Sequence, residues 1–416
     1  MGEADGGKPP SPLRIAQFRW LFTSNMFFFM AMEAQRLVRV WIAYDLTDSK
    51  IALGLLLAAV ATPMMLIAPF GGAIADRVER RNLIVFGQAI VVANEGVILA
   101  LLVSDQLAFW HLLCTSAVMG CVFPLIMPAR AAIVVNIVGK EGVSQAVGLN
   151  MAGMNTMRVV GPGVAGYLLY LLGMKGAAAV GVGIYFLAFL CVLRVGRYRP
   201  DAAVREVSIG RNILDGVRYM REHRLVLVLL FFGLVPMFLA MPFGTLLVVF
   251  ARDIWEVGEW GLGWLQAVGG LGGVVGAMLI AWRASGGRRL GTMMWSVIGF
   301  GVFLVGFAFS PWFLLALPLV FAANVLGSIY STLNSSAIQL LIPDAVRGRV
   351  SSFLMMSFSL PLLGTLPMSA VAELYGAPIA VGLAAVLSVM AALLFYASSP
   401  QLRRMDASIR EAMAEE

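Results

Sequence analysis

Long apolar runs separated by short polar breaks fill almost the whole chain. Twelve runs are legible, at roughly 17–43, 51–75, 82–104, 107–128, 146–173, 176–195, 225–250, 261–282, 291–309, 312–341, 351–373 and 376–397. A helix rising about 1.5 Å per residue needs about 20 such residues to cross a bilayer core. Backbone groups in lipid must be satisfied within their own segment, which predicts helices, and the alternating pattern of a barrel strand is absent. The predicted fold class is an all-α membrane protein with twelve transmembrane helices.

Composition agrees. The chain is 60% hydrophobic and 13% charged, where soluble chains carry about 25% charged residues, and its mean hydropathy is +0.88. The net charge of +7 suggests nucleic acid only until the basic residues are placed. With the N-terminus in the cytoplasm, the outer breaks hold only Lys50, Lys175 and Arg252, and nearly all other Lys and Arg fall in inner breaks. This bias predicts an inner-membrane protein with both termini cytoplasmic, and it accounts for the charge without nucleic acid. Residues Met1 to Pro12 lack the apolar core of a signal peptide, so the first run is expected to stay in the protein. Cys114, Cys121 and Cys191 lie inside apolar runs, where they read as buried small apolar residues rather than a disulfide or metal framework. No phosphate-cradling loop or metal spacing is present, so neither a cofactor nor an enzyme activity is expected, and ATP does not drive the protein directly.

The longest polar break, Arg194 to Arg224, divides the runs six and six. The expected organisation is a polar tail (1–12), an N-terminal six-helix bundle (13–196), a cytoplasmic linker (197–224), a C-terminal six-helix bundle (225–397) and a cytoplasmic tail (398–416). Within the linker, Ser208 to Arg224 places Ile209, Ile213, Val217 and Met220 on one face, the pattern of a helix lying on the membrane surface. A shift of 205 residues lays Ala132-Ile133 on Ala337-Ile338 and Gly71 on Gly276, a weak repeat of the kind parallel six-helix halves leave.

Between the second and third runs lies Gly71-Gly72-Ala73-Ile74-Ala75-Asp76-Arg77-Val78-Glu79-Arg80-Arg81. Twelve runs, the equal division and the spacing Gly72, Asp76, Arg77, Arg80, Arg81 together resemble the major facilitator superfamily. Glu79 stands where the family signature has glycine. The run Arg158-Val159-Val160-Gly161-Pro162-Gly163-Val164-Ala165-Gly166 resembles the glycine-rich motif of its exporters. Pro343-Asp344-Ala345-Val346-Arg347-Gly348-Arg349 resembles the loop before its eleventh span. Pro128-Ala129-Arg130 and Leu46-Thr47-Asp48-Ser49 draw the match toward the enterobactin exporter and macrolide efflux branch.

The resemblance implies two pseudo-symmetric six-helix bundles around a central cavity, with substrate bound near the midplane and exposed alternately to either side. It implies that Asp76 faces the start of the eleventh helix and latches the cytoplasmic side shut. It also implies that Gly161, Gly163 and Gly166 press against the other half. The second-half counterpart of the latch, Ala281-Trp282-Arg283 to Arg288-Arg289, has no Asp. The arginine that many drug/proton antiporters carry inside the fourth span is missing, and Arg130 is expected at that span's cytoplasmic end.

Charges at mid-membrane depth cost several kcal/mol unless paired or hydrated. Glu33, Arg36 and Arg39 lie in the first span, Glu95 in the third and Arg158 in the fifth, all in the N-terminal half. Glu33 and Arg36 share a helical face at i,i+3. Glu33, ahead of Glu95, is the expected proton-binding carboxylate, working against Arg36 or Arg158; a static ion-pair network is the equal alternative. Arg39 is expected to snorkel, and His111 reads as an interfacial residue. In the second half the corresponding groups are neutral: Gln266, Asn324, Asn334 and Gln339. Phe27, Phe28, Phe29, Met30, Met237 and Phe238 are candidates for a pocket lining. The expected function is proton-coupled export of a small, partly hydrophobic compound by a monomer in the lipid bilayer. Uptake or facilitated transport of a metabolite or lipid, and a non-transporting scaffold or sensor, are the alternatives.

Overall fold

In a computed structural model the protein is described over residues 11–75, 77–198, 218, 223–282, 289–342 and 360–415. Every regular element among these is helical. A short 3-10 turn, Pro12–Arg14, precedes α1 (Ala16–Thr47), α2 (Lys50–Ala75) and α3 (Arg80–Val103). The stretch Phe109–Leu193 is continuous in hydrogen bonding but leaves helical dihedrals at Gly139 (φ 69°) and Gly173 (φ 66°). Only glycine takes that left-handed conformation without steric cost, so these two positions fold the stretch into three arms: α4 (109–138), α5 (140–172) and α6 (174–193). The second half holds α7 (Arg224–Ile254), α8 (Gly258–Trp282), α9 (Arg289–Ala308), α10 (Phe313–Leu341), α11 (described over Leu360–Tyr375) and α12 (Ala377–Ser398). Two short helices, α13 (Pro400–Arg403) and α14 (Met405–Glu415), close the chain.

Among the described residues, nine helices are long and apolar enough to cross a membrane, with α5 and α6 counted as one. α1, which carries Arg19, Glu33, Arg36, Arg39 and Asp45, and the described part of α11 fall outside that count. The fourth helix is longer than its apolar run. It continues past Pro128 to Gly139, so Arg130 belongs to a helix rather than to a polar break. Helical dihedrals also persist through Pro162. Nearly all of the surface helix expected within the linker, and the loop carrying Asp344, Arg347 and Arg349, lie outside the described residues.

Successive helices run up and down, giving the molecule a linker end, where α1 begins and α6 stops, and a far end, where α1 turns into α2. Buried apolar side chains form three clusters. One, including Phe18, Phe28, Ile84, Ile126 and Tyr185, draws only on the first half near the linker end. A second, including Val226, Phe232, Met293, Tyr330 and Ile338, draws only on the second half near the same end. The third, at the far end, draws on both: Trp41, Tyr44, Leu112 and Leu169 with Phe243, Phe250, Leu262, Phe307 and Ala380. Among the described residues, then, each half has its own core at the linker end, and a shared core joins them at the far end.

Glycines set the tightest helix contacts, as expected where lipid supplies no hydrophobic drive between helices. Gly71 lies directly against the Pro124 carbonyl of α4, and its repeat partner Gly276 against the Val325 carbonyl of α10. The 205-residue repeat thus falls on the same helix contact in each half. Nothing is described of the surroundings of Gly72.

Candidate transport site

The crossing of α1 and α5 builds the central charged cluster. At Gly161 a Cβ would lie 2.9 Å from the Cβ of Glu33 and 3.1 Å from the Met30 carbonyl, so only glycine lets the helices approach this closely. That approach sets Glu33 beside Arg158, with Nε 3.7 Å from Oε1. Arg36, less than one turn along α1, brings Nη2 to 2.8 Å from Oε2. The second approach is an ion pair without hydrogen-bond alignment, because Oε2 has no hydrogen-bond partner. Glu33 itself is buried, while the Arg36 and Arg158 side chains are 56% and 67% exposed.

The other half lies alongside. A Cβ at Gly270 of α8 would meet the Arg158 carbonyl at 3.1 Å. Further toward the far end, a Cβ at Gly166 would lie 2.6 Å from the Gly263 Cα, and one at Gly163 would sit 3.5 Å from the Ala267 Cβ. The expected glycine-rich contact is therefore divided. Gly166, the neighbouring Pro162 carbonyl and, more loosely, Gly163 face the second half, whereas Gly161 faces α1 of its own half. The α8 glycines divide too, Gly263 and Gly270 facing α5 while Gly269, Gly272 and Gly276 face α10.

Glu95 is not part of this cluster. It pairs with Arg39, Nη2 to Oε1 at 2.6 Å, and Arg39 Nη1 donates to the hydroxyls of Thr115 and Ser116, each at 3.2 Å. Both partners are buried. Arg39 therefore does not snorkel: α1, α3 and α4 enclose it, and the Glu95 carboxylate offsets the burial of its charge. Arg130 is also buried, and Asn25 accepts from its Nη1 while Asn25 Nδ2 donates to Asn150 Oδ1 at 3.0 Å. Its guanidinium carbon lies 4.3 Å above the Phe28 ring, and Nε and Nη2 have no hydrogen-bond partner. A charge beside a polar break gave no sign of this burial.

In the motif after α2, Asp76 lies outside the described residues. The Arg77 amide donates to the Ile74 carbonyl, and Asn82 Nδ2 donates to Glu79. Arg80 donates to Asn136 of α4, and Arg81 Nη2 donates to the Leu193 carbonyl at 2.7 Å. In this shape Arg80 and Arg81 brace their own half. His111 Nδ1 accepts from the Ala108 amide and so caps α4. Phe28 and Phe29 belong to the core, not to a lining, and Cys114 is exposed rather than buried.

Polar contacts between the halves collect at the far end. Tyr44 donates to Asp253, Arg252 Nη1 lies 3.5 Å from Asp45 Oδ1, and the Arg252 guanidinium carbon stands 5.3 Å from the Tyr44 ring centre. The Lys50 amide donates to Glu373 Oε2 at 2.6 Å, and Ser49 Oγ to Oε1 at 3.4 Å. α2 meets α11 just below, where a Cβ at Gly54 would lie 3.0 Å from the Leu366 Cα. The sequence gives no sign that Ser49, Lys50 and Arg252, or Tyr44, Asp45, Asp253 and Glu373, join the halves, because each is an ordinary polar residue near a helix end.

The family described as transmembrane secretion effector matches residues 8–415. The chain belongs to the major facilitator superfamily. Its curated relatives include the multidrug efflux pump Tap of Mycolicibacterium fortuitum, 26% identical over 74% of this chain and 78% of Tap. The staphyloferrin A transporter of Staphylococcus aureus is 21% identical over 92% of this chain and 97% of its own length. The enterobactin exporter of Escherichia coli is 27% identical over 74% of this chain and 73% of its own length. Among solved structures, the nucleoside transporter NupG superposes with a TM-score of 0.73 at 13% identity, over 92% of this chain and 98% of its own. A bacterial homologue of the lysosomal transporter Spinster, solved inward-facing and unoccupied, gives 0.70 at 14% identity over 99% of both chains. These structural likenesses place the facilitator fold, and the superfamily carries small molecules across membranes.

Proposed function

We propose that this protein exports a small, partly hydrophobic compound in exchange for protons, working as a monomer by alternating access in the inner membrane. The observation that carries the reading is Glu33: a single buried carboxylate held between two exposed guanidiniums where the halves meet. One oxygen lacks a hydrogen-bond partner, so the group has room to take a proton when the arginines move away. Glu95 is locked to Arg39, which also bonds Thr115 and Ser116, and serves as structure. Export, rather than uptake, is favoured by the efflux pump and enterobactin exporter among the relatives. The basic bias supports a cytoplasmic placement of both termini and the linker.

Two variants test the cycle in proteoliposomes. Glu33→Gln removes the dependence of transport on a proton gradient and keeps substrate binding; proton coupling like the wild type's in this variant would reject the assignment. Asp76→Asn abolishes transport at normal expression, because the cytoplasmic latch no longer closes; full transport by that protein would sink the latch. In cells, low accumulation of a transported dye should rise when an uncoupler is added. No effect of uncoupler on any compound favours the scaffold.

A further inference from the structure

Charge around the central cluster does not balance. Two guanidiniums, Arg36 and Arg158, share one carboxylate, Glu33, which leaves one positive charge in excess. Glu95 cannot offset it, being consumed by Arg39. Among the described residues, the spans of the second half present only neutral polar groups at this depth. Among the described residues, the further buried charge of the first half, Arg130, has the same sign.

Exposure adds a second argument. Arg36 and Arg158 are more than half exposed at mid-depth. A guanidinium facing hydrocarbon there is costly, so such side chains face water or a polar ligand. The Arg158 backbone lies against Gly270 of α8, so Arg158 belongs to the part of α5 that meets the second half. On the α8 face carrying Gly263, Ala267 and Gly270, Gln266 holds a buried Oε1 with no hydrogen-bond partner. Two exposed guanidiniums sharing one carboxylate make a ready-made site for an anion.

We propose that Arg36 and Arg158 bind an anionic group of the transported molecule, so that the substrates are amphiphilic acids such as carboxylates or acidic phenols rather than cationic drugs. The inference rests on the transporter reading above and narrows its substrate class. A cation would meet net repulsion at the same place.

The test uses two dyes with the same xanthene core and opposite charge, fluorescein (anionic) and rhodamine 123 (cationic). Binding to the purified full-length protein is measured by fluorescence anisotropy, with melting temperatures recorded for each variant. The wild type should bind fluorescein at least about tenfold more tightly, since each lost charge-assisted hydrogen bond is worth roughly that factor. Arg158→Gln and Arg36→Gln should each lower the fluorescein-to-rhodamine affinity ratio about tenfold, and Arg158→Lys should retain most of it because the charge remains. Equal or tighter binding of rhodamine 123 by the wild type, no binding of fluorescein, or an unchanged ratio in both Gln variants overturns the proposal. If phosphatidylglycerol raises the melting temperature while fluorescein does not, the guanidiniums hold lipid and the proposal also falls. Uncoupler-sensitive transport of rhodamine 123 by the wild type would then leave the exporter reading standing without the anionic specificity.

Discussion

Glu33 and Glu95 are carboxylates of similar burial in different helices of the first half, and their surroundings suit them to the different roles proposed for them. Glu95 meets Arg39 at 2.6 Å in a site closed by Thr115 and Ser116. Removing one member of such a pair strands the other charge, at a cost of about 3–5 kcal/mol. Glu95→Gln should therefore lower the melting temperature sharply, and pairing it with Arg39→Met should recover much of the loss; an unchanged melting temperature for the single variant would remove the structural role. Glu33→Gln leaves its arginines hydrated and should melt near the wild type. The Glu33–Arg36 pair is legible in sequence, because i,i+3 spacing fixes it within one helix. The Arg39–Glu95 pair is not, since it joins α1 to α3 across the bundle. Arg130 shows the same limit, as its burial follows from α4 outlasting its apolar run to Gly139.

Among helices, α5 faces two neighbours with one glycine run. Gly166 is pressed between the Gly263 Cα and the Glu259 carbonyl of α8, both within 2.7 Å of a built Cβ, whereas a Cβ at Gly163 would make only ordinary contact with Ala267 at 3.5 Å. Gly166→Val should thus force α5 from α8 and strongly reduce transport, while Gly163→Ala should transport near the wild-type rate in the same proteoliposome assay. Equal activity in both would show that the seam does not need close approach. The motif's small residues are visible in the sequence. Which of them faces the second half is not, because Gly161 and Gly166 are five residues apart and emerge on different sides of the helix. The arms at Gly139 and Gly173 were likewise legible only as breaks in hydropathy.

At the scale of the molecule, the far end is held by a shared core and by polar contacts from Tyr44, Asp45, Ser49 and Lys50 to Arg252, Asp253 and Glu373. Weakening these contacts biases the two-state equilibrium toward the shape open at that end. Asp253→Asn combined with Glu373→Gln should increase the population of long distances between spin labels at Ile51 and Leu374, read by double electron–electron resonance. An unchanged distribution would assign the closure to apolar packing alone. The apolar runs by themselves determined a helical membrane protein, because unsatisfied backbone groups in lipid permit little else. The spacing from Gly72 to Arg81 carried the resemblance to the superfamily, and the membership follows from the match over nearly the whole chain. Tertiary structure decided which buried charge pairs with which, which glycine meets which helix, and which end of the molecule is closed. Those outcomes depend on contacts between residues as far apart as Tyr44 and Asp253, which hydropathy, a property of each segment alone, does not encode.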